Sequence, residues 1–452
     1  MGYAKKIGAG AVFIYAQNIL SALFGILTAI IIIRSLGVAE YGILTLAIAT
    51  MGLLVPFLDF GIGQVVTSDI AGEIGAGRMD RVKRLFCGYA KMVTVTGLIL
   101  SAGLFIGSFF VGGHYGDSFP ILLRLASGLL FINPARSMML VGFGGFSRFK
   151  ALGLIQASES AFKFIFVALA ILYFRLGSAG VIAAYLLATI FSVVFVGLPM
   201  LVRVLRHFKG VSASPEPMFK NLLFGHGKFQ IISQPIKNFY EGARSWIITL
   251  IAGVEALAIF QVAFQIYSYL YLFLGAIEAV LMPIFSEEAA RSAEMAKKLL
   301  VRMTKYITWL AVAATAGALV FVAPGLEFLF GAKYLIAIPL ALFAALALPF
   351  DGLSMILRPV LFSIKAQKAL LKISVYVLLI IVPVAGLLTK LYGAWGFILI
   401  LPFASLLSLF LRYRYLAKER PDLAFSFGAV FSWDLYDREL FLRVWNKVFR
   451  RN

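Results

Sequence analysis

Apolar runs longer than eighteen residues recur along the whole chain, and each is long enough to cross the hydrocarbon core of a bilayer as a helix. Lipid offers no hydrogen-bond partner to the backbone, so a chain of this kind folds into helices that satisfy their own main-chain groups. The composition, 62% hydrophobic and 14% charged, agrees with this interpretation. We therefore predict an all-α polytopic membrane protein.

The apolar runs divide into twelve predicted spans, at residues 9–33, 41–66, 86–111, 119–142, 151–174, 179–202, 229–252, 255–284, 300–322, 334–357, 369–389 and 393–411. Only four of the 41 Lys and Arg residues then fall in external loops, namely Arg34, Arg175, Lys333 and Lys390. Because basic loops are retained on the cytoplasmic side, both termini are predicted to be cytoplasmic. We expect a multi-pass protein of the inner (cytoplasmic) membrane.

The net charge of +20 does not indicate a nucleic-acid partner, because the basic residues form no stripe or single face. We attribute it to membrane orientation and to contact with anionic membrane lipids. One cysteine, Cys87, and three scattered histidines give no metal-ligand spacing. The sequence also lacks the G-x-x-x-x-G-K-[ST] phosphate loop, so neither a metal nor another cofactor is expected.

The two halves of the chain resemble each other at an offset of 216 to 218 residues. The tripeptide Lys150-Ala151-Leu152 recurs as Lys368-Ala369-Leu370, and Gly177 recurs as Gly393. Transporters built from such repeats place the substrate between two lobes. We predict an N-terminal six-helix lobe at 1–210, a cytoplasmic linker at 211–228, a C-terminal six-helix lobe at 229–415 and a cytoplasmic tail at 416–452 with an amphipathic interfacial helix.

The seventh predicted span carries a polar stripe. At 100° per residue, six polar side chains fall on one face of the helix: Gln230, Ser233, Gln234, Lys237, Glu241 and Arg244. Glu241 is spaced to pair with both Lys237 and Arg244, which leaves one positive charge in surplus. Charges inside a bilayer are costly and usually face a bundle interior or a water-filled cavity.

Other spans contain ionisable residues as well. The fifth span places Glu159 and Lys163 at i,i+4, the fourth carries Arg136, and Asp59 and Glu278 lie in the second and eighth. Such groups can hold helices together for a modest gain in stability. They can also line a hydrated cationic cavity, which suits an anionic substrate because Arg and Lys are the usual partners of phosphate.

Three segments carry a resemblance to a known family. They are "RSLGVAEYGILTLA" at 34–47, "LDFGIGQVVTSDIAGEIGAG" at 58–77 and "GVEALAIFQVAFQIYSYLYLFLGAIEAVLMPIFSE" at 253–287. These segments resemble the polysaccharide-export flippases, the Wzx-like branch of the MOP superfamily, which also contains the MATE drug exporters and the lipid II flippases. The similarity extends over nearly all twelve predicted spans.

This resemblance implies two six-helix bundles arranged as a V, working by alternating access. The implied function is to flip a polyprenyl-diphosphate-linked oligosaccharide, such as an O-antigen, capsule or exopolysaccharide repeat unit, to the outer leaflet of the inner membrane. On this reading the diphosphate or acidic sugars bind a cationic cavity lined by Lys237, Arg244, Lys163, Arg136, Gln234 and Gln230. Glu241, Glu159, Asp59 and Glu278 are then candidates for ion pairing or coupling. Enzymes of polysaccharide assembly are further candidate partners.

Two other functions stay open at this point. A MATE-like, cation-coupled exporter of drugs or metabolites would rely on carboxylates, whereas the N-terminal half holds more intramembrane bases than acids. A membrane polysaccharide polymerase or glycosyltransferase would need a sizeable segment outside the bilayer, and the predicted loops are short. A transporter, and not an enzyme, is therefore the first prediction.

Overall fold

The computed structural model describes residues 2–112, 115–224, 228–364 and 366–426, together with 428, 430 and 432. Within these ranges the chain is almost entirely helical and contains no β-strand. This confirms the predicted all-α class. The amphipathic helix predicted in the tail falls on 433–452, which lie outside the described residues.

Sixteen α-helices are defined in the described part of the chain. They are α1 (Gly2–Ser35), α2 (Val38–Leu54), α3 (Pro56–Asp59), α4 (Gly63–Gly75), α5 (Met79–Gly107), α6 (Ser118–Gly145), α7 (Phe149–Ala168), α8 (Gly177–Phe191), α9 (Leu198–Leu205), α10 (Met218–Phe224), α11 (Lys228–Arg291), α12 (Ala293–Phe330), α13 (Ala337–Ala345), α14 (Leu348–Ser363), α15 (Gln367–Tyr392) and α16 (Trp395–Glu419). Short π-helical turns extend α7 at Leu169–Tyr173 and α8 at Ser192–Gly197.

Ten helical segments of the described chain are long and apolar enough to cross a membrane. The bent pair α13 and α14 raises the number to eleven if it is counted as one span. Gly253 interrupts α11 with φ 88°, ψ 172°, at the boundary predicted between spans seven and eight. A multi-pass membrane protein is thus confirmed, and the total of twelve spans stays a prediction.

The second predicted span is broken in the structure rather than continuous. Pro56 begins the short helix α3, and the chain then turns through positive φ at Phe60 (49°) and Gly61 (71°) before α4 begins. Proline supplies no backbone donor to the preceding turn, and a left-handed residue ends a helix. The break brings the Asp59 side chain to the end of α3.

The described chain groups into two compact units. The first comprises Met1–Val262, Gly325–Ile336 and Gly386–Ala394, and the second comprises Ala263–Pro324, Ala337–Ala385 and Trp395–Asn452. In the first unit, α1 packs along α7 and α5 packs along α6. The lobe and linker boundaries predicted from the internal repeat stay a prediction.

Each unit has its own apolar core. In the first unit the core forms where α4, α5 and α6 meet, around the fully buried Ile62, Val66 and Phe143. In the second unit it forms around Leu300, Leu361 and Leu416, which are also fully buried. Each helix of these cores buries its apolar face against its neighbours, which fixes the helix in place. The polar side chains on its other faces are therefore held in fixed positions.

Candidate functional site

Arg136, Glu159 and Lys163 form a contiguous charged cluster in the first unit, which we call the triad. Arg136 Nε lies 2.6 Å from Glu159 Oε2, and Lys163 Nζ lies 2.7 Å from Glu159 Oε1. The residue Glu159 is only 7% exposed, whereas the side chains of Arg136 and Lys163 are 29% and 33% exposed. Each carboxylate oxygen therefore accepts from one base, and both bases reach beyond the contact.

The helix register explains why these residues meet. A short turn joins α6 to α7, with Arg136 nine residues before the end of α6 and Glu159 ten residues after the start of α7. At 1.5 Å per residue both lie about 14–15 Å from the turn, inside the hydrocarbon depth of a bilayer. Lys163 follows one helical turn later on the same face as Glu159.

The triad carries one surplus positive charge, because two bases share one acid. Removing a charge from water is expensive, so an intramembrane base needs a partner or a hydrated cavity. The single negative charge of Glu159 balances only one of the two positive charges. Arg136 donates to Glu159 through its Nε atom. Its two Nη groups donate to no other described residue, so they are available to another acceptor. Lys163 also lies 5.4 Å from the centre of the Tyr185 ring.

Close packing fixes the helices that carry the triad. A Cβ atom on Gly97 of α5 would lie 2.3 Å from Cγ of Pro134, so α5 approaches α6 at this glycine, two residues before Arg136. On the other side of the cluster, Ser158 and Ser192 are hydrogen-bonded at 2.9 Å, and Ser192 also donates to the Ile155 carbonyl at 2.9 Å. The triad therefore rests on rigid helices rather than on loops.

Arg244 is the described member of the predicted stripe in the seventh span. Its guanidinium lies 5.1 Å from the centre of the Phe260 ring, and its side chain is half-buried. The neighbouring Trp246 donates through Nε1 to Thr50 Oγ1 at 3.2 Å, which ties this part of α11 to α2. The side chains of Gln230, Gln234, Lys237 and Glu241 lie outside the described part of the chain, so their proposed roles stay predictions.

Asp59 contacts the backbone break at which it lies. Its Oδ1 accepts from the Gly61 N–H at 2.8 Å, and its Oδ2 accepts from the Tyr89 hydroxyl at 3.2 Å. A Cβ atom on Gly63 would approach Oδ2 to 2.8 Å, so the carboxylate fits closely against α4. These contacts stabilise the end of α3. The side chain of Glu278 is not among those that the structure describes.

The second unit holds a polar group that we did not predict as a site. Asp351 accepts from the Tyr267 hydroxyl at 2.5 Å, and Arg412 donates through Nη1 to Ser354 Oγ at 2.8 Å. The sequence offers one signal for Asp351, because an acidic residue inside the predicted span 334–357 is costly in lipid.

Residues 7–288, more than half of the chain, match the family described as "Polysaccharide biosynthesis protein". The chain belongs to this family. No curated protein sequence matches the chain significantly. The family match agrees with the resemblance to polysaccharide-export flippases.

Solved structures of transporters share the fold of this family member. An inward-facing multidrug resistance MATE family transporter of the MOP superfamily has a TM-score of 0.73 at 17% identity, over 89% of this chain and 95% of that chain. A second similar structure is a MOP superfamily transporter from Pyrococcus furiosus, with a TM-score of 0.61 at 15% identity over 92% of this chain and 96% of that chain. It is described as having a binding pocket of reverse polarity that suggests a different function. An outward-facing multidrug resistance MATE transporter has a TM-score of 0.59 at 15% identity, over 93% and 96%.

The family match agrees with the predicted relationship to polysaccharide-export proteins, and the solved structures show that the chain has the fold of MATE and other MOP superfamily transporters. Both agree with the prediction of a membrane transporter rather than an enzyme. At these identities the structural similarity establishes the architecture alone. The substrate has to be argued from the residues of this chain.

Proposed function

We propose that the protein flips a polyprenyl-diphosphate-linked oligosaccharide from the cytoplasmic to the outer leaflet of the inner membrane by alternating access. Membership of the polysaccharide biosynthesis family supports a glycan-related cargo. A lipid-linked glycan must move a polar, anionic head through the bilayer while its polyprenyl tail stays in lipid. The protein therefore has to offer the head a polar, positively charged path.

The observation that carries this proposal is the surplus positive charge of the triad. Arg136 and Lys163 share the single carboxylate of Glu159 at 2.6 Å and 2.7 Å, and about a third of each basic side chain is accessible. A diphosphate offers several oxygens, and the free Nη groups of an arginine can bind two of them in parallel. In this arrangement Glu159 holds both bases in position when no substrate is bound.

The height of the triad suits loading from the cytoplasm. With the proposed cytoplasmic termini, the turn between α6 and α7 faces the cytoplasm, and the triad lies about 14–15 Å inside it. A headgroup entering from the inner leaflet meets the triad before it reaches the centre of the bilayer. Lys237, Arg244 and the two glutamines of the stripe are proposed to extend the same cationic path.

The sign of the charge separates this proposal from cation export. A cationic drug needs acidic walls, whereas the triad presents two bases and one acid. One protein of this fold, the Pyrococcus furiosus transporter, is described as having a binding pocket of reverse polarity that suggests a different function. In this chain the support for an anionic cargo comes from the two bases around one acid.

Transport by purified protein tests the proposal directly. The protein is reconstituted in liposomes that contain a fluorescent polyprenyl-diphosphate oligosaccharide, and the fraction that becomes accessible to an impermeant quencher is followed over time. Because a hydrogen bond to a charged group is worth about 1.5–3 kcal/mol, Arg136→Gln and Lys163→Gln should each lower the initial rate about tenfold or more at subsaturating substrate.

The matched control is Lys91→Gln, which removes an exposed intramembrane base on α5 outside the triad. It should transport at the rate of the unchanged protein. Equal rates for all three variants at equal incorporation would contradict the binding role of the triad. Transport of a cationic dye in place of the glycolipid would instead support the exporter alternative.

A further inference from the structure

A groove of about 460 Å³ runs between α5 and α6 on a face that the triad does not use. Its floor consists of small residues, Ser101 and Ala102 from α5 and Ser127 and Gly128 from α6. On each helix the lining residues recur at i, i+3, i+4 and i+7, which places them on one continuous strip. The groove is open along the outer surface of the two helices.

The walls of this groove are apolar and exposed. Leu98, Phe105 and Phe131 line it and are 49%, 45% and 60% exposed. In a membrane protein a surface of this kind faces acyl chains. A slot with a small-residue floor and large apolar walls is shaped to hold an extended hydrocarbon chain.

One end of the groove carries a guanidinium group. Arg124 Nε donates to Ser108 Oγ at 3.2 Å, and its Cζ lies 4.2 Å from the centre of the Phe109 ring. Among the described residues no carboxylate pairs with Arg124, and neither Nη group has a hydrogen-bond partner. The positive charge is held in place but not neutralised.

The position of Arg124 along α6 matches the level of lipid headgroups. At 1.5 Å per residue, the 28 residues of α6 span about 42 Å, the thickness of a bilayer with its headgroup regions. Arg124 lies six residues after Ser118, about 9 Å from the helix end, and a long basic side chain extends towards the interface. Phe131, at the other end of the groove, lies about 20 Å from the helix start and close to the bilayer centre.

We propose that this groove binds one anionic phospholipid, with its phosphate on Arg124 and one acyl chain along the floor between α5 and α6. The charge and the length both fit, because the groove reaches from headgroup level to mid-bilayer and so covers one leaflet. With the proposed topology this is the outer leaflet. The lipid would fill the groove beside the α5–α6 contact that positions Arg136, and its binding does not depend on what the protein transports.

Native mass spectrometry of the purified full-length protein with added phosphatidylglycerol tests this site. One phosphatidylglycerol should be retained at detergent and lipid concentrations at which phosphatidylcholine of the same chain length is lost. Arg124→Gln should weaken this binding about fivefold, the amount expected for one basic residue near an anionic lipid. Lys390→Gln, which removes an exposed base in the last turn of α15, is the matched control and should bind as the unchanged protein does.

A second variant keeps Arg124 intact in case the first one folds poorly. Ala102→Trp fills the groove from an exposed position and should displace the acyl chain, with loss of the retained phosphatidylglycerol. Equal retention in all variants would overturn the site. Binding of free glycerol phosphate with the same affinity would show a simple phosphate site, and displacement by an equimolar polyprenyl phosphate would assign the groove to the transported lipid; either result contradicts the proposal.

Discussion

The ammonium group of Lys333 caps the end of the first helix. Its Nζ atom donates to the main-chain oxygen of Arg34 at 2.9 Å and also to that of Leu36. The carbonyl groups that end a helix have no partner within it, so a basic side chain at this position stabilises them. Lys333 lies in the segment Gly325–Ile336, which the first unit includes.

Loss of water around Lys333 lowers the pKa of its ammonium group below the usual value, and the nearby charge of Glu40 opposes this shift only in part. The folded protein therefore binds fewer protons than the unfolded chain between the lowered pKa and the ordinary value near 10.5. Raising the pH through this alkaline window should add stability. We expect the gain in thermal midpoint from pH 8 to pH 10 in detergent to be smaller for Lys333→Gln; an equal or larger gain in the variant contradicts the assignment.

Within the triad, the acid should matter more for stability than either base. Glu159→Gln leaves two neighbouring positive charges without their shared partner, whereas Arg136→Gln or Lys163→Gln leaves one intact pair. Because a buried charge that loses its partner costs more than the pair contributes, we expect Glu159→Gln to cost about 1–3 kcal/mol and each base variant less. Chemical denaturation in mixed micelles measures the order. The same cost for all three, with Lys91→Gln unchanged, would show that the carboxylate does not organise the cluster.

Gly97 should tolerate no side chain. A Cβ atom there would lie 2.3 Å from the rigid Pro134 ring, so Gly97→Ala has to push α5 and α6 apart and should cost about 1–3 kcal/mol. Gly103→Ala on the same helix is the control, because its Cβ would meet nothing within 4 Å. The difference in thermal midpoint between the two variants checks the prediction. If both melt alike, the close approach of the two helices is not a constraint.

Position 253 should require glycine because of its backbone conformation, and not because a side chain would lack space. Its φ of 88° and ψ of 172° belong to a region that side chains strain, although a Cβ atom would meet nothing within 4 Å. Gly253→Ala should therefore cost about 1–3 kcal/mol. Gly317→Ala, which has equal space and lies inside a regular helix, should be neutral or stabilising. Far-ultraviolet circular dichroism melts would report this contrast, and a neutral Gly253→Ala would contradict it.

Much of the fold could be predicted because hydrophobic length and period are local properties of the sequence. The boundary between spans seven and eight was predicted at 252–255, and the structure breaks α11 at Gly253. The break after Pro56 was missed, because the second apolar run gives no change in hydropathy where φ becomes positive at Phe60. Pro56 and Gly61 mark the break in the sequence, but a prediction made from hydropathy does not use them.

In the candidate site, contacts within one helix were predictable from the sequence, and contacts between helices were not. The pair of Glu159 and Lys163 followed from helical spacing within one span. The contact between Arg136 and Glu159 joins two helices, and it was not predicted. Equal distance from the turn between α6 and α7 would have suggested it, because consecutive antiparallel spans bring residues of equal depth together.

The unequal count of charges in the triad has an electrical consequence. Moving one elementary charge across a membrane is worth about 2.3 kcal/mol per 100 mV. The diphosphate of the proposed cargo carries more negative charge than the single surplus positive charge of Arg136, Glu159 and Lys163, so its binding would reverse the sign of the cluster. A potential that is negative inside would then favour outward movement of the loaded cluster and return of the empty one, so the membrane voltage itself would give the proposed cycle a direction.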